Sequence, residues 1–493
     1  MRPPVNKNQI IEICPDSVNE AGDGVARIEG GFVIFCKDLL PGERGSTRIV
    51  KVSGNYAVAR VMSRENSSEL RRESVCPYNA KGCGGCAFAH VTDEGQRSFA
   101  KERVSGCLKR IGGFGTEGGP ELPDVAQCIS PEGNSFRNKT SYPFFETDGR
   151  IATGFYARAS HRPVRFERGK PCPHENPLAA RLREAIEEFA ASRGITAYDE
   201  EKRTGELRFL TLRVSDRTGR IMAVITANSE RLSHEDELVR ALSEDFPELA
   251  SLWICTTSGA SISGSGNSIL GGRFRLLSGD PQLECAIGNA SFMISPESFF
   301  QVSTAGAEAL YDTVYRYAGL KGGEFLLDLY CGVGTIGLYL LKRFASEKQA
   351  AIMPCLTGIE IVEAAVENAV RNAYLNGIEG CRFIAGDVPR VLGEIDPGKP
   401  DLVIIDPPRK GVDNSLVVSL RTLAPGRIVY VSCDPTTLAR DLKAICADGL
   451  YRVMAVQPVN MFPDTGHIES VVLLSRKNID DHLEFVWTDN EFR

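Results

Sequence analysis

From about residue 298 onward, apolar strand-like runs alternate with helical segments, and this alternation constrains the fold more than any other feature of the sequence. The strand candidates read "EFLLDLYCG", "AAIMPCLTGIE", "CRFIAGD", "DLVIIDPP" and "RIVYVSC". Strands that take turns with helices build a mainly parallel sheet, because a parallel neighbour is reached only through a crossover. A Rossmann-like, doubly wound α/β domain is therefore expected over residues 296–493. Such sheets bind ligands outside the carboxyl ends of their strands. The residues that end these strands are where chemistry is expected.

The first strand ends at Asp328-Leu329-Tyr330, and Gly332, Gly334 and Gly337 then spell G-x-G-x-x-G at the opening of a helix. Glycines in that position let the backbone approach a nucleotide-like ligand. The next strand ends at Glu360, a carboxylate suited to ribose hydroxyls. These two elements alone fit NAD and S-adenosylmethionine equally. In "DLVIIDPPRKGVD" two prolines stiffen the strand exit and hold Asp406 at the sheet edge. A dehydrogenase has no evident use for that element, whereas many methyltransferases carry an acidic-Pro-Pro turn there.

Cys433, in "VYVSCDPTTLARDL", ends the following strand, so Asp406 and Cys433 are expected to face one crevice. An isolated buried cysteine is most often a small apolar filler. The adjacent Asp-Pro and the neighbouring crevice favour a nucleophile, which requires a partly exposed site that supports the thiolate. In "NMFPDTGHIESVVLL", His467 and Glu469 stand at a strand entrance, and Glu469 is a candidate general base.

Ahead of this region, residues 1–62 show short strand signals punctuated by glycine and proline, the pattern of a small OB-like β-barrel. Residues 63–75 are charged and poor in apolar groups and read as a linker at the start of a central, mainly β domain, 63–295. Fifteen cysteines are too many for filler and too unevenly spaced for a disulfide scaffold. Cys76, Cys83 and Cys86 form C-x6-C-x2-C, with Gly84-Gly85 allowing a tight turn, and Cys172 supplies a distant fourth thiolate. Four thiolates suit tetrahedral zinc or an iron–sulfur cluster, and spacing does not choose between them.

A formal net charge of −7 speaks against nucleic acid for the chain as a whole, but binding depends on where charge is clustered. Arg137 to Lys170 holds eight Lys/Arg against three acids, with Tyr142, Phe144, Phe145, Phe155, Tyr156 and Phe166 interleaved. That composition suits phosphate contact and base stacking; a solvated face over a sheet core is the competing reading. No apolar run reaches the ~20 residues of a membrane span, and the first residues lack the apolar core of a signal peptide. A cytoplasmic location is expected.

Taken in order, the barrel, the cysteine cluster, "FRNKTSYPF", "FFQVS", "DLYCGVGTIGL", "DPPRKG", "VSCDPTTLARD" and "MFPDTGHIE" resemble the RNA (uracil-5-)-methyltransferase family over nearly the whole chain. The family makes 5-methyluridine in ribosomal and transfer RNA. The resemblance implies that the barrel is a TRAM domain and that Cys76, Cys83, Cys86 and Cys172 hold a 4Fe-4S cluster. It implies S-adenosylmethionine contacts from Gln301, Tyr330, Gly332, Gly334, Glu360, Asp387 and Asp406, and RNA contacts from Arg137 and Lys139. Cys433 is then the nucleophile that adds to carbon 6 of the uracil, and Glu469 the base. The expected substrate is 23S ribosomal RNA, with transfer RNA second, and a monomer is expected.

Two features depart from the family pattern. Six residues rather than the usual five separate the first two cluster cysteines, and Asp434 stands where Asn is commoner. Three rivals fit less of the chain. Cytosine-5 methyltransferases typically place their cysteine after proline, where Ser432 stands here. An NAD-dependent reductase leaves both edge motifs unexplained, and a non-catalytic RNA-binding factor leaves Cys433 idle. The last residues, 476–493, carry no assigned role.

Overall fold

The expected strands and helices alternate as anticipated in a computed structural model that describes residues 3–131, 136–257, 269–348, 352–394 and 398–477. The C-terminal extension from residue 478 lies outside the described residues. The chain forms two units. One comprises Met1–Ala100, Ile129–Glu308 and Asn460–His467, and the other Lys101–Cys128, Ala309–Val459 and Ile468–Arg493.

The second unit is built on a seven-stranded sheet. Its strands are β1 (Phe325–Leu329), β2 (Cys355–Glu360), β3 (Arg382–Ala385), β4 (Leu402–Ile405), β5 (Arg427–Ser432), β6 (Tyr451–Val459) and β7 (Glu469–Arg476). They lie in the order β3-β2-β1-β4-β5-β7-β6. β1 to β5 run parallel, while β7 is antiparallel to both β5 and β6. All four residues of β4 are buried, as are Ile428 to Val431 of β5. Strands covered on both faces read as continuous apolar runs rather than alternating ones, which is why these segments stood out in the sequence. β2 begins only at Cys355, directly after Pro354, whose missing N–H cannot join the ladder.

Helices Thr335–Glu347, Glu363–Leu375, Val388–Glu394, Asn414–Leu423 and Pro435–Ile445 connect the strands. Asp413 caps Asn414–Leu423, its Oδ1 accepting from the Leu416 N–H at 3.0 Å. The winding direction reverses between β1 and β4, which opens a crevice at their carboxyl ends. A further helix, Asp93–Cys107, continues through a wider turn to Gly112 and ends at Gly113 in the left-handed conformation (φ 75°), as its glycines suggested.

In the other unit, the N-terminal strands form a six-stranded sheet ordered Ile10–Ile13, Gly45–Val52, Tyr56–Arg64, Val33–Lys37, Asp23–Arg27, Ser17–Val18. Its core includes Ile34, Cys36, Leu39, Ile49, Ala57 and Ala59. The segment read as a linker is pinned to this sheet. The Arg71 guanidinium grips the buried Glu43 carboxylate through Nε and Nη2 (2.6 and 2.7 Å), and Asn66 donates to the Gly42 carbonyl at 2.8 Å. Its arginines are partnered, while Glu65, Glu69 and Glu73 are exposed.

A second seven-stranded sheet runs Arg273–Gly279, Leu249–Thr256, Ile221–Ala227, Leu207–Val214, Lys139–Thr147, Arg150–Tyr156, Pro163–Arg165. It corrects part of the basic-aromatic reading. Tyr142, Phe144 and Phe166 are buried core residues, not an exposed stacking surface; of the six aromatics, Tyr156 is the exposed one. Many of the cations are matched by acids, as in Arg158–Asp23, Arg165–Glu187, Arg168–Glu188 and Lys170–Glu167. The aromatics were placed by strand alternation, and the acids that neutralise the cations come mostly from other parts of the chain.

Close packing of helix on strand fixes Gly337. A Cβ there would lie 2.7 Å from Leu356 Cδ2 and 2.9 Å from Asp328 Oδ2. Gly337→Ala is expected to lower unfolding free energy by about 1–3 kcal/mol, as overpacking does, measured by urea denaturation. A midpoint equal to wild type would show that helix Thr335–Glu347 can shift without cost.

Candidate active site and cysteine cavity

At the carboxyl end of β1 the chain turns sharply. Tyr330 has φ 64°, Gly332 φ 55° and Gly334 φ 82°. The Tyr330 and Cys331 N–H groups both donate to the Ile359 carbonyl (2.9 and 3.1 Å), so the loop is tied to β2. A Cβ on Gly332 would meet nothing within 4 Å, which leaves the loop backbone open to a ligand. Glu360 braces the same loop: one carboxylate oxygen accepts from Gly332 N–H at 3.1 Å and the other from Val362 N–H at 2.9 Å. Asp387 follows β3 and is exposed at that edge.

Asp406 follows β4, its N–H donating to the Leu329 carbonyl at 3.3 Å. Burial pushes its pKa from the ordinary 3.8 up to about 7. Beneath the loop, Asp328 is also raised to about 7, chiefly by burial, although the Gly337 N–H donates to it at 3.1 Å. The Asp406 loop is anchored by a residue that sequence reasoning passed over. Buried Asp441 accepts from the Tyr430 hydroxyl (2.7 Å) and the Val412 N–H (2.9 Å), while Arg440 donates to the Lys410 carbonyl at 2.7 Å. The signal was present: Asp441 lies on the apolar face of its helix, among Leu438, Leu442 and Ile445.

Cys433 is held by a strand end and a helix start. Asp434 caps helix Pro435–Ile445, its carboxylate accepting from Thr436 N–H at 2.7 Å, and Pro435 opens the first turn. An acid serves as cap as well as Asn does, so this departure from the family pattern leaves the cysteine in place. Ser432 of β5 pairs with Ser470 of β7, and Glu469 is the residue just beyond. The antiparallel register thus sets the end of β5, with Cys433, beside the start of β7, with Glu469.

Burial, then the Asp406 charge, push Glu469 up to about 8, while Arg409 opposes them. Cys433 is half-buried. Burial and the Glu469 and Asp406 charges raise its pKa to about 11, against the pull of Arg409. The expectation that the site itself supports the thiolate is therefore not met: burial, reinforced by two neighbouring carboxylates, outweighs one guanidinium. His467 is exposed.

In the other unit Cys76, Cys83, Cys86 and Cys172 line one cavity together with Arg137 and His174. The Cys172 thiol hydrogen-bonds Cys76, which lowers Cys76 to about 6 and raises Cys172. Burial raises Cys83, and raises Cys86 to about 12. Gly84 is required for the turn, because a Cβ would lie 2.9 Å from the Arg158 backbone. Among the described residues, no three His, Cys, Asp or Glu side chains are grouped to hold a single metal ion. Gln301 is buried in this unit, its carbonyl accepting from Asn138 Nδ2 at 3.0 Å. Lys139 lies on a strand of the central sheet.

Strand order and the carboxylates at the ends of β2 and β4 define a methyltransferase-like α/β domain. Residues 390–477 match the family model described as tRNA (Uracil-5-)-methyltransferase. The chain is 35% identical over 482 residues to a protein of Halalkalibacterium halodurans described as an uncharacterized RNA methyltransferase, covering 96% of this chain and 99% of that one. A similarly described protein of Clostridium acetobutylicum is 36% identical, with 96% and 98% covered. The crystal structure of Pyrococcus abyssi tRNA (uracil-54, C5)-methyltransferase, in complex with S-adenosyl-L-homocysteine, superposes with a TM-score of 0.70 at 25% identity, covering 94% of this chain and all of that one. The chain belongs to the RNA (uracil-5-)-methyltransferase family of S-adenosylmethionine-dependent enzymes. Among the described residues no helix is long and apolar enough to cross a membrane.

The raised pKa of Asp406 has a consequence for stability. The folded protein keeps this proton where the unfolded chain releases it, so stability falls as pH rises from about 4 to about 7. Asp406→Asn removes that dependence. Its melting temperature relative to wild type should climb across this window and level off above it. A constant difference from pH 4 to pH 8 would show that Asp406 ionises normally.

Proposed function

We propose that the protein methylates carbon 5 of a uridine in RNA through a covalent Cys433 adduct. The observation that carries this reading is the β5–β7 register, which sets a thiol and a buried carboxylate side by side at the mouth of a cofactor crevice. Gly332, Gly334, Tyr330, Glu360, Asp387 and Asp406 are the residues of that crevice suited to S-adenosylmethionine, and the family resemblance adds Gln301 to the cofactor contacts. When bound, the cofactor supplies an electrophilic methyl group and a positive charge.

Carbon 5 of uracil is a poor nucleophile. A Cys433 thiolate adding to carbon 6 pushes electron density onto carbon 5, which can then take the methyl group. Glu469 removes the carbon-5 proton, the electron pair of that bond forms the 5,6 double bond, and the carbon–sulfur bond breaks to release the thiolate. A carboxyl group held near pH 8 suits the task, since it both accepts and releases a proton close to neutrality. Arg409 is the cation on hand to favour the thiolate against its acidic neighbours. The target base must leave its stack to reach the crevice.

The four cysteines suit a 4Fe-4S cluster. Their spacing fits zinc equally, and the family resemblance is what favours the cluster. Bound there, it would brace the central region and contribute no redox step to methyl transfer. The six-stranded N-terminal sheet we read as the TRAM-like RNA-binding domain, 1–62, ahead of a central domain, 63–295, and the methyltransferase domain, 296–493. Arg137, lining the cysteine cavity, and Lys139 are the assigned RNA contacts. We assign 23S ribosomal RNA as substrate, transfer RNA as the second reading, and a cytoplasmic monomer as the working form. Mass mapping of 5-methyluridine in RNA from a strain lacking the protein tests the assignment: a missing modification confined to transfer RNA would reverse it.

Four measurements test these assignments. Cys433→Ala should abolish methylation while S-adenosylhomocysteine still binds; product formation by the variant would remove Cys433 as nucleophile. Glu469→Gln should accumulate a covalent adduct with methylated RNA, stable on a denaturing gel, because the amide cannot accept the proton. In the wild type, the elimination rate should rise with pH through about 8 and level off above, as Glu469 ionises. Protein purified without oxygen should be brown and hold about four irons per chain; stoichiometric zinc instead would overturn the cluster assignment.

A further inference from the structure

The central sheet carries two cations that oppose each other across paired strands. Lys139 is in register with Arg213 on the antiparallel neighbour, and directly opposed residues of such a pair share one face of the sheet. Arg213 is 2% exposed. Its Nη2 donates to the Ser298 carbonyl at 3.0 Å, its guanidinium carbon lies 5.8 Å from the centre of the Phe300 ring, and Nη1 is buried with no hydrogen-bond partner among the described residues. Among the described residues, no ion pair joins either cation to a carboxylate. Burial and the Arg213 charge hold Lys139 down at about 8, and burial holds Arg213 at about 10.

This contrasts with Arg158, Arg165, Arg168 and Lys170 of the basic-aromatic segment, each of which meets an acid. Buried charge is ordinarily paired, and two like charges together without a counter-ion are costly. A guanidinium with a spare N–H beside an ammonium matches an oxyanion in charge and in donor geometry. Lys139, half-buried, is the member that solvent reaches.

We infer that Lys139 and Arg213 together form a site for one backbone phosphate of the RNA. The inference rests on the RNA reading above and adds Arg213 to it. Lys139 makes the direct contact, and Arg213 supplies the second positive charge from behind.

Binding of in vitro transcribed ribosomal and transfer RNA to the full-length protein, followed by fluorescence anisotropy across a salt series, tests it. Lys139→Gln should weaken binding about five-fold near physiological salt and reduce the slope of log affinity against log salt by about one. Lys139→Arg should restore both. Arg213→Lys, checked for folding by circular dichroism, should weaken binding, and should add less in the Lys139→Gln background than alone, since both cations serve one phosphate. If that variant does not fold, the two Lys139 variants carry the test.

A wild type that binds no RNA would sink the RNA reading itself. A wild type that binds while Lys139→Gln keeps its affinity and slope would overturn only the phosphate site. So would a Lys139→Gln variant that keeps its RNA slope but loses affinity for S-adenosylhomocysteine, which would make the anion a cofactor carboxylate.

Discussion

The antiparallel pairing of β7 with β5 is the constraint on which the proposed chemistry depends. Five parallel strands present all their carboxyl ends at one edge, but a parallel sheet cannot bring the start of a strand to that edge. β7 does so by running backwards between β5 and β6. Its first residue, Glu469, thereby stands beside Cys433, the residue after β5, although 35 positions separate them in the chain. A shift of one residue in this register would turn every side chain of β7 to the other face. The buried runs on both strands make such a slip expensive.

That arrangement concentrates negative charge. Asp328, Asp406 and Glu469 are all raised, principally by burial, and the Asp406 charge adds to the rise of the other two. Cys433 feels the same field and is held as a thiol. The crevice is thus electrostatically suited to a cation, and the chain supplies only Arg409 against it among the groups that act on Cys433. Stability is given up near neutral pH to keep these carboxyl groups in place, a common arrangement where function needs perturbed acids. Asp441 shows how the geometry is maintained: one buried carboxylate ties β5, the Asp406 loop and the helix behind Cys433 together.

The other unit illustrates the limits of reading composition. A run of basic and aromatic residues looked like one RNA-contact surface. Strand alternation instead turned Tyr142, Phe144 and Phe166 into the core, and acids such as Asp23 and Glu187 neutralised much of the charge. At the buried Arg213 and the half-buried Lys139, among the described residues, no acid arrived and the excess charge persists. The segment 63–75 misled in the same way. Arg71 belongs to a stretch that reads as a linker because its partner Glu43 is 28 positions earlier and buried.

By itself, the sequence determined the doubly wound domain, because fully buried parallel strands and their helices leave local patterns that need no partner to be read. It also determined the strand-end residues, since glycine, Asp-Pro-Pro and Ser-Cys-Asp-Pro each mark where an element must stop. Cys76, Cys83 and Cys86 were legible from spacing alone, and Cys172 as a distant fourth. Tertiary structure decided what depends on contacts remote in the chain. The facing of Cys433 by Glu469, the elevated pKa of the thiol, the anchoring by Asp441 and the unpaired state of Arg213 all follow from which charges and strands are brought together. Protonation and register are set by those neighbours, and a linear pattern carries no record of them.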